Sequence, residues 1–67
     1  MTIQELAALP LDKRLEVAKK IAESTIMSYE EVRCRLETAL HCWMTRVYEL
    51  PIVVAEILVE LDRVKEV

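Results

Sequence analysis

Cys34, His41 and Cys42 are the side chains of this 67-residue chain whose types could bind a metal ion or supply a nucleophile and its base. Seven residues separate Cys34 from His41, which on one helix places their Cα atoms about 10 Å apart, too far to share an ion. A helix turns the adjacent His41 and Cys42 side chains roughly 100° apart, so the imidazole cannot serve as a base for that thiol. We therefore expect no metal, no cofactor and no catalytic residue in this group.

Glu56 and Glu60 are the other chemical candidates, because two carboxylates one helical turn apart could act as an acid–base pair. They fall, however, on the helix face that also carries Glu49 and Arg63, which is the face predicted to be in water. A solvated stripe of charges explains this pattern. We expect that the protein is not an enzyme.

Composition excludes several other classes of protein. The chain has no glycine, which a phosphate-binding loop and a dinucleotide-binding fingerprint both require. Its hydrophobic content of 54% is typical of a folded chain rather than a disordered one. Twelve acidic and nine basic residues give a net charge of −3, whereas proteins that bind nucleic acid usually carry a basic surface. At this length we expect a single helical domain over residues 1–67.

Cysteine usage and hydrophobicity predict the compartment. Cys34 and Cys42 would lie about 12 Å apart on one helix, too far for a disulfide bond, so we expect reduced thiols and a cytoplasmic protein. The first ten residues lack the basic residues that open a signal peptide. The apolar stretch 50–61 contains two glutamates and is too short to cross a bilayer, so we expect no membrane association.

Two helix starts are marked by capping boxes at Thr2 and Ser28, each followed by a glutamate three residues later. Pro10 should end the first short helix and allow a second one to begin at Leu11. That second helix should end near Ser24.

An apolar repeat follows Ser28, with its members alternately four and three residues apart. It passes through Pro51, whose neighbours are not typical of a loop. We therefore predict one long helix from about Tyr29 to Lys65, kinked at Pro51. It should pack on the short N-terminal helix at residues 11–24, and the two should form an all-α helical hairpin. The repeat consists of Leu36, Leu40, Trp43, Val47, Leu50, Val54, Ile57, Leu61 and Val64.

A second apolar stripe on the same predicted helix requires a second neighbour. The short N-terminal helix can cover only part of the two stripes. We therefore expect a homodimer that completes a helical bundle, since two-fold dimers are the commonest assembly. The second stripe consists of Met44, Tyr48, Ile52, Ala55 and Val59. The predicted dimer seam consists of Leu50, Val54, Ile57, Leu58, Leu61 and Val64.

Residues 21–36, IAESTIMSYEEVRCRL, resemble the helix-turn-helix segment of LacI-type repressors. The alanine of the first helix, the Ser-Tyr pair at the turn and the valine of the second helix carry the resemblance. It implies two helices joined by a tight turn, the second of which reads DNA.

Three departures from that family argue against DNA binding. Ile26 stands where the turn usually has glycine, Glu30 and Glu31 begin the would-be recognition helix, and Cys34 stands where an arginine often reads bases. We expect the helix-turn-helix shape without its DNA chemistry, and no nucleic-acid partner. The alternative, a small DNA-binding regulator, depends on Arg33, Arg35 and the basic helix at residues 13–20. A minor alternative is an antitoxin-like component, because residues 5–18 are similar to the opening of some antitoxins.

The function that remains is binding without chemistry, as an adaptor or inhibitor that docks on a host or bacterial regulatory protein. Small helical proteins of this composition often act by occlusion in bacteria and phages, which favours a phage-type inhibitor by analogy. Tryptophan and tyrosine are enriched at binding hot spots, and arginine at interfaces. The predicted partner-binding residues are Trp43, Met44, Val47, Tyr48, Arg33, Arg35 and Arg46. The alternative for Trp43, Met44, Val47 and Tyr48 is that they form the core of the hairpin itself.

Overall fold

Four helices make up the protein in the computed structural model, which describes residues 1–47 and 49–64. They are α1 (Ile3–Ala8), α2 (Leu11–Ser24), α3 (Tyr29–Met44) and α4 (Ile52–Asp62). No strand occurs in the described residues. The predicted all-α class is confirmed.

The two predicted capping residues begin their helices as expected. The Thr2 hydroxyl accepts a hydrogen bond from the Glu5 amide at 3.2 Å, and the Ser28 hydroxyl accepts one from the Glu31 amide at 3.2 Å. Each bond satisfies an amide that has no partner within its own helix. Pro10 directly precedes α2, with an extended backbone that separates the first two helices.

Helix α3 lies at the centre of the fold, because it packs against α1, α2 and α4. All of the buried side chains among the described residues are apolar, and they form one continuous core. α1 contributes one fully buried side chain, while α2, α3 and α4 each contribute several. The core consists of Leu6, Val17, Ala18, Ile21, Val32, Leu36, Ala39, Leu40, Cys42, Val54, Ile57 and Leu61.

The prediction of one long helix kinked at Pro51 is wrong. α3 ends at Met44 and a new helix, α4, begins directly after Pro51. Proline has no amide to donate to a helix, and it disfavours helical backbone at the residue before it, so a helix does not run unbroken through Pro51, whereas a new helix can begin directly after it. α4 then packs on α3, and an ion pair between Arg35 and Glu56 joins the two helices at 3.1 Å.

The predicted dimer seam is also corrected, because three of its six side chains are buried, and two more partly buried, within the single chain. Val54, Ile57 and Leu61 lie in the core, where α4 packs on α3, and are at most 1% exposed. Leu58 and Val64 are partly buried against the same core. The chain's own fold therefore buries Val54, Ile57 and Leu61 fully and Leu58 and Val64 in part. The sixth predicted member of the seam, Leu50, is 42% exposed.

Candidate functional site

Exposed apolar side chains gather where α3 gives way to α4. Six of the nine large apolar side chains exposed in the described part of the chain fall between residues 43 and 53. We call the described residues of 43–53 the corner. Its exposed apolar members are Trp43, Met44, Val47, Leu50, Ile52 and Val53.

The backbone at the end of α3 has a defined geometry that fixes the corner. The Val47 amide donates to the Cys42 carbonyl at 3.0 Å, and the Arg46 amide donates to the Trp43 carbonyl at 3.3 Å. Arg46 has a φ of 56°, in the left-handed region. This pair of bonds and this φ define a Schellman motif, in which glycine usually takes the left-handed position. The corner is thus a hydrogen-bonded helix end with an arginine at its strained residue.

Two hollows open side by side on the corner. One is an open hollow of about 660 Å³ whose lining includes Met44 and Arg46, and the other is a groove of about 170 Å³ whose described lining residues all have apolar side chains. Trp43 and Val47 line both, so the two hollows form one continuous surface. The groove is lined by Ile3, Ala39, Trp43, Val47, Leu50, Val54 and Leu58.

Several groove residues were outside the predicted partner-binding set. Ile3 belongs to α1 and Ala39 to the middle of α3, and no spacing in the sequence links them to the corner. Leu50 was assigned to a dimer seam because it continues the apolar repeat. Ile52 is exposed at the corner but does not line the groove. The sequence indicates its exposure, because Ile52 belongs to the second apolar stripe, which the short N-terminal helix could not fully cover.

The predicted partner-binding residues separate into two groups. Trp43, Met44, Arg46 and Val47 come together at the corner and line the open hollow. Tyr48, which belongs to the same predicted cluster, lies outside the described residues.

Arg33 and Arg35 form the other group, and neither lines the hollows of the corner. Arg33 pairs with Glu30 at 2.9 Å, and the hydrogen bond and charge of that carboxylate raise the pKa of the Arg33 guanidinium. Arg35 bridges Glu31 at 2.8 Å and Glu56 at 3.1 Å. Their charges are therefore compensated locally by the first turn of α3 and by α4.

The cysteines and the histidine do not converge on one another. Cys34 is exposed, Cys42 is buried in the core, and both are free thiols. His41 is exposed in the last turn of α3. Across residues 1–47 and 49–64, no three histidine, cysteine or acidic side chains lie close enough together to hold a metal ion.

The segment that resembles a helix-turn-helix consists of the end of α2, a connection over residues 25–28 and the first half of α3. Glu30 and Glu31 lie in the exposed first turn of α3, and Ile26 is fully exposed in the connection. The front of the would-be recognition helix is thus acidic.

Comparison with protein-family models, with curated proteins and with solved structures gives no match for this chain. Among the helices of the described residues, none has the length and apolar character needed to span a bilayer.

Proposed function

We propose that this protein acts by binding another protein through the corner, without chemistry of its own. The observation that carries the proposal is the concentration of exposed Trp43, Met44 and Val47 beside an apolar groove. A contiguous apolar surface on a small folded chain is typical of an interaction site, because leaving it in water costs free energy that a partner would recover.

Trp43 is the expected anchor of this surface. It is 42% exposed and lines both hollows, so a partner that covers the corner would bury the rest of its indole ring. Large aromatic side chains that lose water at the centre of an interface contribute most to binding. Met44 is 72% exposed, and its flexible thioether side chain can adapt to the shape of a partner.

An adaptor or an inhibitor would use the corner in the same way, by covering a surface of a regulatory protein. A phage-type inhibitor remains a proposal by analogy of size and composition. A second copy of the chain is the alternative occupant, because Met44, Ile52 and Val59 of the second apolar stripe are still exposed after the chain has folded.

DNA binding has less support as a proposal. Arg33 and Arg35, on which it depends, are paired with Glu30, Glu31 and Glu56. Binding to phosphates would require breaking these ion pairs and placing the acidic first turn of α3 against the DNA backbone.

Affinity capture with two matched variants tests the proposal. Met44→Glu places a charge on the corner, and Ile26→Glu places the same charge on a fully exposed isoleucine between α2 and α3. We expect wild type and Ile26→Glu to retain a common protein from a bacterial lysate, and Met44→Glu to lose it. Equal thermal melting of all three would show that the fold is unchanged, because both side chains are largely in water.

Trp43 supplies an independent readout, since it is the only tryptophan of the chain. Burial of its half-exposed ring by a captured and purified partner should shift its emission to shorter wavelength. A partner that both variants bind equally well, with no change in Trp43 emission, would contradict docking at the corner.

A further inference from the structure

We infer that the corner recognises a peptide segment of its partner that presents a bulky apolar side chain next to a carboxylate. The apolar side chain would enter the groove, and the carboxylate would pair with Arg46. This inference rests on the proposed function and adds the chemistry of the partner.

The groove accounts for the apolar half of the recognition. At about 170 Å³ it is smaller than the 300–1,000 Å³ typical of sites for drug-sized ligands. Its described lining residues belong to α1, α3, α4 and the chain between α3 and α4, and none of them has a polar side chain. A space of this size and lining fits one large aliphatic or aromatic side chain.

Arg46 accounts for the charged half. It is the one charged side chain among the described residues that line either hollow of the corner. Each of the other four arginines lies within 4.0 Å of a carboxylate, whereas Arg46 has no such ion pair with any described residue. A planar guanidinium beside an apolar surface is well suited to a carboxylate, which it can bind through two parallel hydrogen bonds.

The backbone at Arg46 gives a second, independent reason. A side chain with a Cβ atom destabilises the left-handed conformation, so glycine would suit this position of the Schellman motif better. Strained backbone of this kind concentrates at functional sites. The fold thus tolerates a costly arginine at the open hollow beside the groove, and Arg46 makes no ion pair with any described residue.

A carboxylate fits this site better than the phosphates of a nucleic acid. Nucleic acids are bound through several cations at once, whereas the corner presents Arg46 beside Trp43, Met44 and Val47. One cation flanked by apolar side chains matches a protein segment in which an acidic residue neighbours an apolar anchor.

Selection from phage-displayed random 12-residue peptides against the immobilised full chain tests the inference. We expect the enriched peptides to share a bulky apolar residue with an aspartate or glutamate close by. The most enriched peptide is then synthesised with a fluorophore, and its Kd is measured by anisotropy. A second peptide with the acid replaced by its amide serves as the isosteric control.

Arg46→Gln should raise the Kd of the acidic peptide by about tenfold or more, because it removes a charge-assisted hydrogen bond. The amide peptide should bind wild type and Arg46→Gln equally. Arg63→Gln is the matched control, since Arg63 is exposed and pairs with Glu60 away from the corner, and it should leave the Kd unchanged.

The outcomes separate this inference from the proposed function. One outcome is that the enriched peptides are apolar and carry no acid, that wild type and Arg46→Gln bind them equally, and that Met44→Glu does not bind them. This outcome would overturn the role of Arg46 and leave docking at the corner intact. No enriched peptide, or peptides that Met44→Glu still binds, would overturn both. Sedimentation equilibrium would instead show a dimer if a second copy of the chain occupies the corner. A dimer that Met44→Glu dissociates, and that the peptide does not dissociate, would overturn the inference in this way.

Discussion

Replacing Arg46 with glycine should stabilise the fold, although it removes a large side chain. The left-handed conformation costs a residue with a Cβ atom about 1–2 kcal/mol, and Arg46 holds that conformation with a φ of 56°. Glycine removes this cost but loses more backbone freedom on folding, about 0.5–1 kcal/mol. Arg46 is exposed and has no ion pair among the described residues, so little else is lost. The net gain should be about 0.5–1 kcal/mol.

Thermal unfolding followed by circular dichroism measures this gain. For a domain of 60–100 residues, 1 kcal/mol shifts the Tm by about 4–8 °C, so Arg46→Gly should raise it by roughly 2–8 °C. Arg46→Ala is the control, because it removes the same guanidinium but keeps the Cβ atom, and its Tm should stay close to that of wild type. An Arg46→Gly variant no more stable than Arg46→Ala would refute the assignment of strain at this residue. Peptide binding should weaken in both variants, which separates stability from recognition.

Three further results are expected. Ile57→Ala should lower the free energy of unfolding in urea by about 2–5 kcal/mol, because Ile57 is 0% exposed. Ile52→Ala is the control, since Ile52 is 76% exposed, and it should change that free energy by less than about 0.5 kcal/mol. Equal effects of the two substitutions would contradict the packing of α4 on α3. Ser28→Ala should cost about 1 kcal/mol through loss of the cap on α3, and Ser28→Thr should recover most of it. DNA titrations at physiological salt should show nothing tighter than about 1–100 μM; nanomolar, sequence-selective binding would instead favour the helix-turn-helix regulator.

Local signals in the sequence predicted α1, α2 and the start of α3, because the interactions that begin a helix, or separate one helix from the next at Pro10, are local. The hydroxyls of Thr2 and Ser28 each reach an amide three residues later, which depends only on nearby backbone. Pro10 interrupts a helix for reasons of its own covalent structure. The clustering of Trp43, Met44 and Val47 was also predicted, because they lie on two neighbouring apolar stripes, but the choice between core and surface for them was not.

The path of the chain after Met44 could not be predicted from the apolar repeat. Seven residues separate the end of α3 at Met44 from the start of α4 at Ile52, which is the length of one heptad, so the repeat has the same phase in both helices. One continuous helix and two helices separated by seven residues therefore show the same spacing of apolar residues. The dimer seam was predicted from this pattern, and only the packing of α4 on α3 showed that the single chain buries three of its six side chains.

The sequence by itself determined the helical class, the helix starts at Thr2, Pro10 and Ser28, and the presence of more apolar surface than one helical face can bury. Only the tertiary structure decided which apolar residues remain in water and that Arg46 lies among them. The reason is physical: capping bonds and proline geometry act within a few residues, whereas burial depends on which helix faces meet. α3 ends at the Schellman motif, and α4 can therefore pack against α3 instead of continuing it. In this motif Arg46 takes the left-handed backbone conformation that glycine usually takes.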